Sequence, residues 1–271
     1  MRLLRRTLLA ACLALGLASG PPAAASDFIT VASTTSTEHS GLFGHILPRF
    51  TADSGIAVRI VAQGTGQALE TGRRGDADVV LVHDLAAEER FVAEGHGVAR
   101  LDVMSNDFVI VGPAGDPAGV AAASSASAVM AAIAAAGAPF ASRGDDSGTH
   151  AAEKALWAAA GIVPADGWYL STGSGMGATL NTAAQVPAYA LTDRGTWLSF
   201  RNRGPLTLLF AGDPSLRNPY GVILVNPVRH PHVKAAEAQA FIDWLVGEKG
   251  QAAIANFTID GERPFVPAAT P

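Results

Sequence analysis

From Phe28 onward, short apolar runs rich in Val and Ile alternate with stretches in which apolar residues recur every three or four positions. The runs 28–32, 56–61, 79–82, 108–111, 168–170, 188–191, 206–210 and 221–225 predict strands. Between them Leu42, Phe43, Ile46, Leu47 and Phe50 share one helical face, as do Ala240, Phe241, Trp244 and Leu245; residues 120–136 and 151–160 are Ala-rich helix formers. Pro48 counts against the first helix, because an interior proline removes a hydrogen bond and clashes with the preceding turn. Strand and helix in alternation predict an α/β chain of mostly parallel sheets with helices on both faces. The runs 106–113 and 218–227 place an apolar strand between polar or Pro/Gly punctuation. They are read as two crossings between lobes, which gives lobe I as 26–109 with 220–271 and lobe II, inserted, as 110–219. No internal repeat is visible.

The first residues fall outside this alternation. Arg2, Arg5 and Arg6 precede an apolar run over 8–17, and Gly20-Pro21-Pro22 leads to Ala23-Ala24-Ala25. Charged, apolar and small-residue regions in that order describe a secretory signal peptide over 1–25, cut after Ala25. A buried first helix is the alternative, but the run has no polar face to present to water. Arg5-Arg6 is a loose match to a twin-arginine export signal. Leu9-Ala10-Ala11-Cys12 resembles a bacterial lipoprotein site, although too few apolar residues precede it for efficient export, so the cut after Ala25 is preferred.

Removing 1–25 from the 271 residues leaves 246, and it takes three of the 19 basic residues, so that 16 face 24 acidic ones and the formal charge moves from −5 to −8. The single Cys leaves with the leader, which excludes a disulfide, a thiolate nucleophile and Cys-ligated zinc from the mature chain. A net acidic chain lacks the basic footprint of a nucleic-acid binder. No later stretch reaches about 18 uninterrupted apolar residues, so the product is expected to be exported and soluble in the periplasm.

Three strand-to-helix turns carry the candidate chemistry. Ser33-Thr34-Thr35-Ser36-Thr37 follows the first strand, Gln63-Gly64-Thr65-Gly66-Gln67 the second, and Ser142-Arg143-Gly144-Asp145-Asp146-Ser147-Gly148-Thr149-His150 opens the helix that contains Glu153 and Lys154. Free N–H groups at a helix start, joined by Ser and Thr hydroxyls, make a donor-rich pocket for a small anion, and in an open parallel sheet such turns lie where ligands bind. Arg143 adds a planar fork of donors. Ordinary helix capping explains any one turn, since Ser, Thr and Asp are favoured caps. Four consecutive hydroxyls exceed what one cap can use.

These turns, with Gly75-Asp76-Ala77-Asp78-Val79-Val80-Leu81-Val82-His83, Leu191-Thr192-Asp193-Arg194-Gly195-Thr196 and Asn218-Pro219-Tyr220-Gly221-Val222, resemble in the same order the tungstate-binding periplasmic proteins of ABC importers, the TupA-type solute-binding family. The resemblance covers nearly the whole mature chain. It implies a two-lobed type II periplasmic binding protein fold, an oxyanion clamped between the lobes, and delivery to a membrane permease driven by an ATPase. The segment from Ser142 to Thr149 also resembles phosphate-binding proteins of the same superfamily, and that likeness implies Arg143, Ser147, Gly148 and Thr149 as anion contacts. Thr65 follows from the second turn, Thr34, Thr35 and Ser36 from the first, and Thr192 as a weaker carry-over. Phosphate binders place an Asp near the end of the strand that corresponds to 79–82, to accept the proton of hydrogen phosphate. This chain has His83 there and Asp84 one residue later, and the absence of an inward carboxylate favours a fully deprotonated anion. Tungstate and molybdate are not ranked by any residue.

Other readings are weaker. Gly173-Ser174-Gly175-Met176-Gly177-Ala178 matches a loose dinucleotide pattern with Asp193 about 20 residues on, but Pro187 cuts off the strands such a site needs, leaving a flexible inter-lobe turn. Ser147 with His150 suggests a nucleophile, yet no G-x-S-x-G elbow exists, and His150 reads as a solvated first-turn residue. His230 and His232 read as a surface pair and not as metal ligands, and Glu88-Glu89-Arg90 as a solvated face. The expectation is a monomeric, cofactor-free oxyanion carrier that performs no chemistry, with a phosphate binder or an enzyme on a small anion as alternatives.

Overall fold

The computed structural model describes residues 28–165 and 167–268. The chain runs β1 (Phe28–Thr34), α1 (Thr35–His39), α2 (Leu42–Ser54), β2 (Ala57–Gln63), α3 (Thr65–Arg73), β3 (Val79–Val82), α4 (Leu85–Ala93), β4 (Gly97–Pro113), α5 (Ala126–Ala136), β5 (Phe140–Ser142), α6 (Gly148–Ala159), β6 (Tyr169–Ser171), α7 (Met176–Gln185), β7 (Ala190–Asp193), α8 (Arg194–Ser199), β8 (Leu206–Phe210), β9 (Arg217–Val225), α9 (Ala235–Val246), α10 (Glu248–Ala255) and β10 (Val266–Pro267). The proposed leader, with Arg5-Arg6 and Cys12, lies outside the described residues. Among those described, no helix is long and apolar enough to cross a membrane.

The fold is two-lobed, and two strands, β4 and β9, join the lobes. The larger sheet has the order β10-β4-β9-β3-β1-β2, with β1 parallel to both β2 and β3; β5 and β6 form a small parallel pair. Every antiparallel pairing between these strands involves β4 or β9. β4 is 17 residues long. Up to Asp107 it pairs with β9, and from Phe108 it pairs with β7 and β8. It thus carries the chain out of the first lobe, and β9 carries it back.

Three apolar cores follow. The larger one packs α2, α9 and α10 on the sheet through Ile29, Leu42, Phe50, Val80, Tyr220, Phe241 and Ile254. In the second lobe, alternate residues of β4 serve opposite faces: Phe108 and Ile110 join Phe140, Trp157 and Tyr189, while Val109 and Val111 join Leu180, Ala190 and Trp197. A sheet buried on both faces reads as an unbroken apolar run, which is why 108–111 was legible.

Several expectations change. α2 continues through Pro48. A helix-interior proline costs about 3 kcal/mol, whereas Leu42, Phe43, Ile46 and Phe50 are all buried, each worth about 1.5–3 kcal/mol. The Ala-rich run is not one helix: Val120–Ala122 is a 3₁₀ turn, and α5 starts afresh at the Ser125 cap, whose Oγ accepts the Ala128 N–H at 3.1 Å. Glu88 is not on a solvated face. It is fully buried between α4 and the sheet, where its carboxylate accepts from Arg100 Nε and from the Asp84 backbone N–H, both at 2.6 Å. Gly221 makes the room, since a Cβ there would sit 2.0 Å from Glu88 Oε2.

Candidate functional site

The hydroxyls of the first turn divide their work. Ser33 Oγ donates to the Leu81 carbonyl of β3 at 2.6 Å. Thr34 Oγ1 caps α1 by accepting from the Thr37 N–H at 3.3 Å, and lies 3.0 Å from Ser36 Oγ. Thr35 and Ser36 are left at the mouth of the β1–α1 turn. In the second turn the Gly64 N–H donates to Gln67 Oε1 at 3.3 Å, and Thr65 is buried at the start of α3. In the third, Ser147 Oγ caps α6 by accepting from the His150 N–H at 3.3 Å.

These turns meet. One small cavity is lined by seven of the predicted residues, Thr34, Thr35, Ser36, Thr65, Arg143, Ser147 and Gly148, together with Gln63, Gly64 and His83. The space between its walls is only ≈ 170 Å³, too little for anything of cofactor size. A larger groove of ≈ 860 Å³ beside Trp157 and Tyr169 is mostly apolar and open, with no comparable set of donors.

Arg143 is held in place from two sides. Its Nε and Nη2 donate to Asp145 Oδ2 at 3.2 and 2.5 Å, and Asp145 Oδ1 accepts from the Ser147 N–H at 3.3 Å. Burial works against the Asp145 charge, but the Ser147 and Arg143 contacts prevail and hold its carboxyl below the usual range. On the other side, the Arg143 carbonyl accepts from the Ser174 N–H at 3.1 Å and Thr172 Oγ1 at 3.3 Å. The Gly173–Ala178 segment is therefore a buttress for the Arg143 backbone and not a free inter-lobe turn. Gly144 has φ +60°, and a Cβ there would lie 1.9 Å from Ser171 Oγ, so only glycine fits.

Gly148 marks the approach of the two lobes. A Cβ on it would stand 3.1 Å from Thr65 Oγ1 and 3.3 Å from the His83 ring. The His83 ring is buried, stacks on Tyr220 with centroids 4.7 Å apart, and places Nε2 3.2 Å from Ser36 Oγ. Burial pushes its pKa below the ordinary value, with Arg143 adding to the fall and Asp193, Asn218 and Asp84 opposing it. Asp84 turns away: its Oδ1 accepts the Ala87 N–H at 3.1 Å as the cap of α4, and it is not in the cavity wall.

The family model described as the PBP superfamily domain matches residues 19–249. The tungstate-binding protein TupA of Peptoclostridium acidaminophilum is 47% identical over 235 residues, covering 86% of this chain and 82% of the relative. The chain belongs to the TupA-type family of ABC-transporter substrate-binding proteins. Two solved structures agree with that placement. The tungstate-binding protein TupA of Desulfovibrio alaskensis G20 superposes with a TM-score of 0.79 at 43% identity over 90% of this chain and 100% of its own. The tungstate ABC transporter structure from Geobacter sulfurreducens gives 0.80 at 47% identity over 85% of this chain and 98% of that one.

Two predicted residues of this TupA-type chain lie outside the cavity wall. Thr149, one residue into α6 from Gly148, is buried with no hydrogen-bond partner for its Oγ1. Thr192 is buried in β7, and its Oγ1 donates to the Asp193 carbonyl at 3.3 Å. Ser147 has no imidazole partner: its Oγ faces the backbone N–H of His150, whose ring Nδ1 accepts from the Asp146 N–H at 3.1 Å and is half-buried, not solvated. His230 Nε2 and His232 Nε2 each face a backbone carbonyl, of Arg73 at 3.0 Å and Gly75 at 2.8 Å, which ties the end of α3 to the 226–234 loop. Sequence reasoning placed His83 at the end of its strand and Gln63 and Gly64 in the second turn, but counted none of the three among the contacts; His83 is the side chain of most consequence. Its one signal was position, at the carboxyl end of a buried strand.

Proposed function

We propose that this protein captures tungstate or molybdate in the periplasm, closes two lobes over it, and hands it to an ABC permease with its ATPase. The observation that carries the reading is the convergence, in one small cavity, of a single arginine, hydroxyls from three helix starts, and no carboxylate from the end of β3. Such a set suits an anion that offers acceptors only. The relatives, named as tungstate-binding proteins, supply the cargo. Thr34, Thr35, Ser36, Thr65, Arg143, Ser147 and Gly148 are proposed as the contacts, with the unpartnered Thr149 hydroxyl turned to the anion on closure and Thr192 in support from β7. Lobe I is taken as 26–109 with 220–271 and lobe II as 110–219. A donor set aimed at the anion replaces its hydration shell, so no bond needs to be made or broken and no cofactor is called for. The mature chain is expected to act as a monomer, starting at Ser26. Calorimetry and thermal shift with tungstate, molybdate, sulfate and phosphate test this: the first two should bind and stabilise, and stabilisation by phosphate alone would overturn it in favour of a phosphate carrier. Turnover of a small ester with covalent labelling of Ser147 would favour an enzyme.

A further inference from the structure

A chain of polar side chains ends at Ser36 in the cavity and begins in the other lobe. Asp193 caps α8, its Oδ1 and Oδ2 accepting from the Thr196 N–H and Oγ1 at 2.8 and 2.5 Å. A carboxylate only accepts. Asn106, 3.4 Å away, therefore turns its Nδ2 to Asp193 and to Tyr220 Oη at 3.3 Å, which leaves Asn106 Oδ1 to accept from Asn218 Nδ2 at 2.7 Å. Asn218 Oδ1 in turn faces His83 Nδ1 at 3.1 Å. Each amide fixes the next, so His83 carries a proton on Nδ1 and directs Nε2 at Ser36 Oγ. Asn106 and Asn218 stand opposite each other on β4 and β9, the two strands that cross between the lobes.

With one proton, the imidazole presents a lone pair at Nε2. It then takes the only hydrogen of Ser36 and turns hydroxyl lone pairs toward the cavity, the wrong polarity for an anion with acceptors alone. A second proton reverses this: Nε2–H donates to Ser36 Oγ, and the Ser36 hydrogen is released to the anion. The added charge also matters, because the Arg143 guanidinium is already paired with Asp145.

We propose that His83 is a proton-coupled binding residue: it protonates when a dianion enters, so that the anion and one proton are captured together. The inference rests on the oxyanion reading above. The charged groups around the ring agree with two states. Burial keeps the empty site's imidazole neutral, Arg143 adds to that, and Asp193 and Asp84 are near enough to support the cation once a dianion is present. Tyr220, stacked on the ring, has its phenol raised well above the ordinary value by burial and stays neutral.

The test is calorimetric titration of sodium tungstate into the mature chain at several pH values, in buffers of different ionisation enthalpy. Between the pKa of His83 in the empty site and that in the loaded one, uptake should approach one proton per anion, and affinity should fall about tenfold per pH unit as pH rises. His83→Gln keeps an amide N–H in reach of Ser36 but does not titrate, so its uptake should vanish and its profile should flatten. Tight wild-type binding with no proton uptake and a flat pH profile would overturn the role of His83 and leave the oxyanion reading standing; it requires no variant. Proton uptake that persists in His83→Gln would overturn it as well. No tungstate binding at any pH would instead refute the oxyanion reading itself.

Discussion

Replacing Arg143 by Ala removes the one arginine or lysine in the described cavity wall. The residue is 5% exposed, and two of its N–H groups are already directed at Asp145 Oδ2, so the rest of the fork is available to a ligand. A charge-assisted hydrogen bond contributes about 1.5–3 kcal/mol net, and truncating one partner of a buried, hydrogen-bonded charge pair costs about 2–5 kcal/mol. The substitution also leaves Asp145 uncompensated beside an incoming dianion. The expected loss is about 3–5 kcal/mol of tungstate binding, roughly a hundred- to several-thousand-fold in Kd. Arg143→Lys keeps the charge but not the planar fork and cannot serve Asp145 and the anion together, so it should fall between the two. Calorimetry on the purified protein measures the loss, and melts of the ligand-free variants separate it from any change in folding. An unchanged affinity in Arg143→Ala would show that the anion binds elsewhere.

Three further substitutions probe closure, the buried hydroxyl and the buried acid. In Gly148→Ala the new Cβ meets Thr65 and His83 at 3.1–3.3 Å and holds the two lobes slightly apart, so tungstate affinity should drop by about 1–3 kcal/mol. An affinity equal to wild type would mean that the lobes do not need to approach so closely. Thr149→Val removes a buried hydroxyl without a partner, and should stabilise the empty protein slightly while weakening tungstate binding by about 1–3 kcal/mol; equal affinity would take Thr149 out of the anion contacts. Burial, opposed by Arg100, pushes Glu88 from 4.5 up to about 7. The folded state then holds the proton more tightly than the unfolded chain, so stability falls as pH rises between those values, by up to about 3 kcal/mol. In denaturant melts from pH 4 to 8, wild type should lose that much relative to Glu88→Gln, and a constant difference would show that Glu88 titrates normally.

Where a segment's environment is uniform, its sequence declared it. β3 and β8 occupy 79–82 and 206–210 as predicted, since an unbroken apolar run between polar residues has few alternatives. The first half of β4 was not legible: Arg100, Asp102, Ser105 and Asn106 interrupt its apolar pattern, and it is a strand because β9 and β10 pair with it. The three hydroxyl-rich turns were visible because helix starts have a composition of their own. The division of labour within them was not, because it depends on Leu81 and Thr37 taking up Ser33 and Thr34. Glu88 and His83 were misread or passed over for one reason. A lone polar residue becomes interior only through distant neighbours, here Arg100 and Gly221 for the acid, and Asn218 and Tyr220 for the imidazole.

The chain's formal net charge, −5 over its 271 residues, sets the terms for selectivity as well as capture. Long-range attraction works against an anion, so binding must come from contacts within the cavity, where Arg143 and Asp145 already form a nearly neutral pair. Sulfate has the same charge and shape as tungstate but shorter bonds, and charge alone cannot separate them. What can separate them is donors that do not follow a smaller anion inward. Ser33 is tied to β3, Thr34 to the start of α1, the Arg143 backbone to Thr172 and Ser174, and His83 to the two strands between the lobes. A frame fixed at that many points loses contacts to a smaller anion instead of adjusting to it, so rejection of sulfate follows from the rigidity of the turns and not from any one residue.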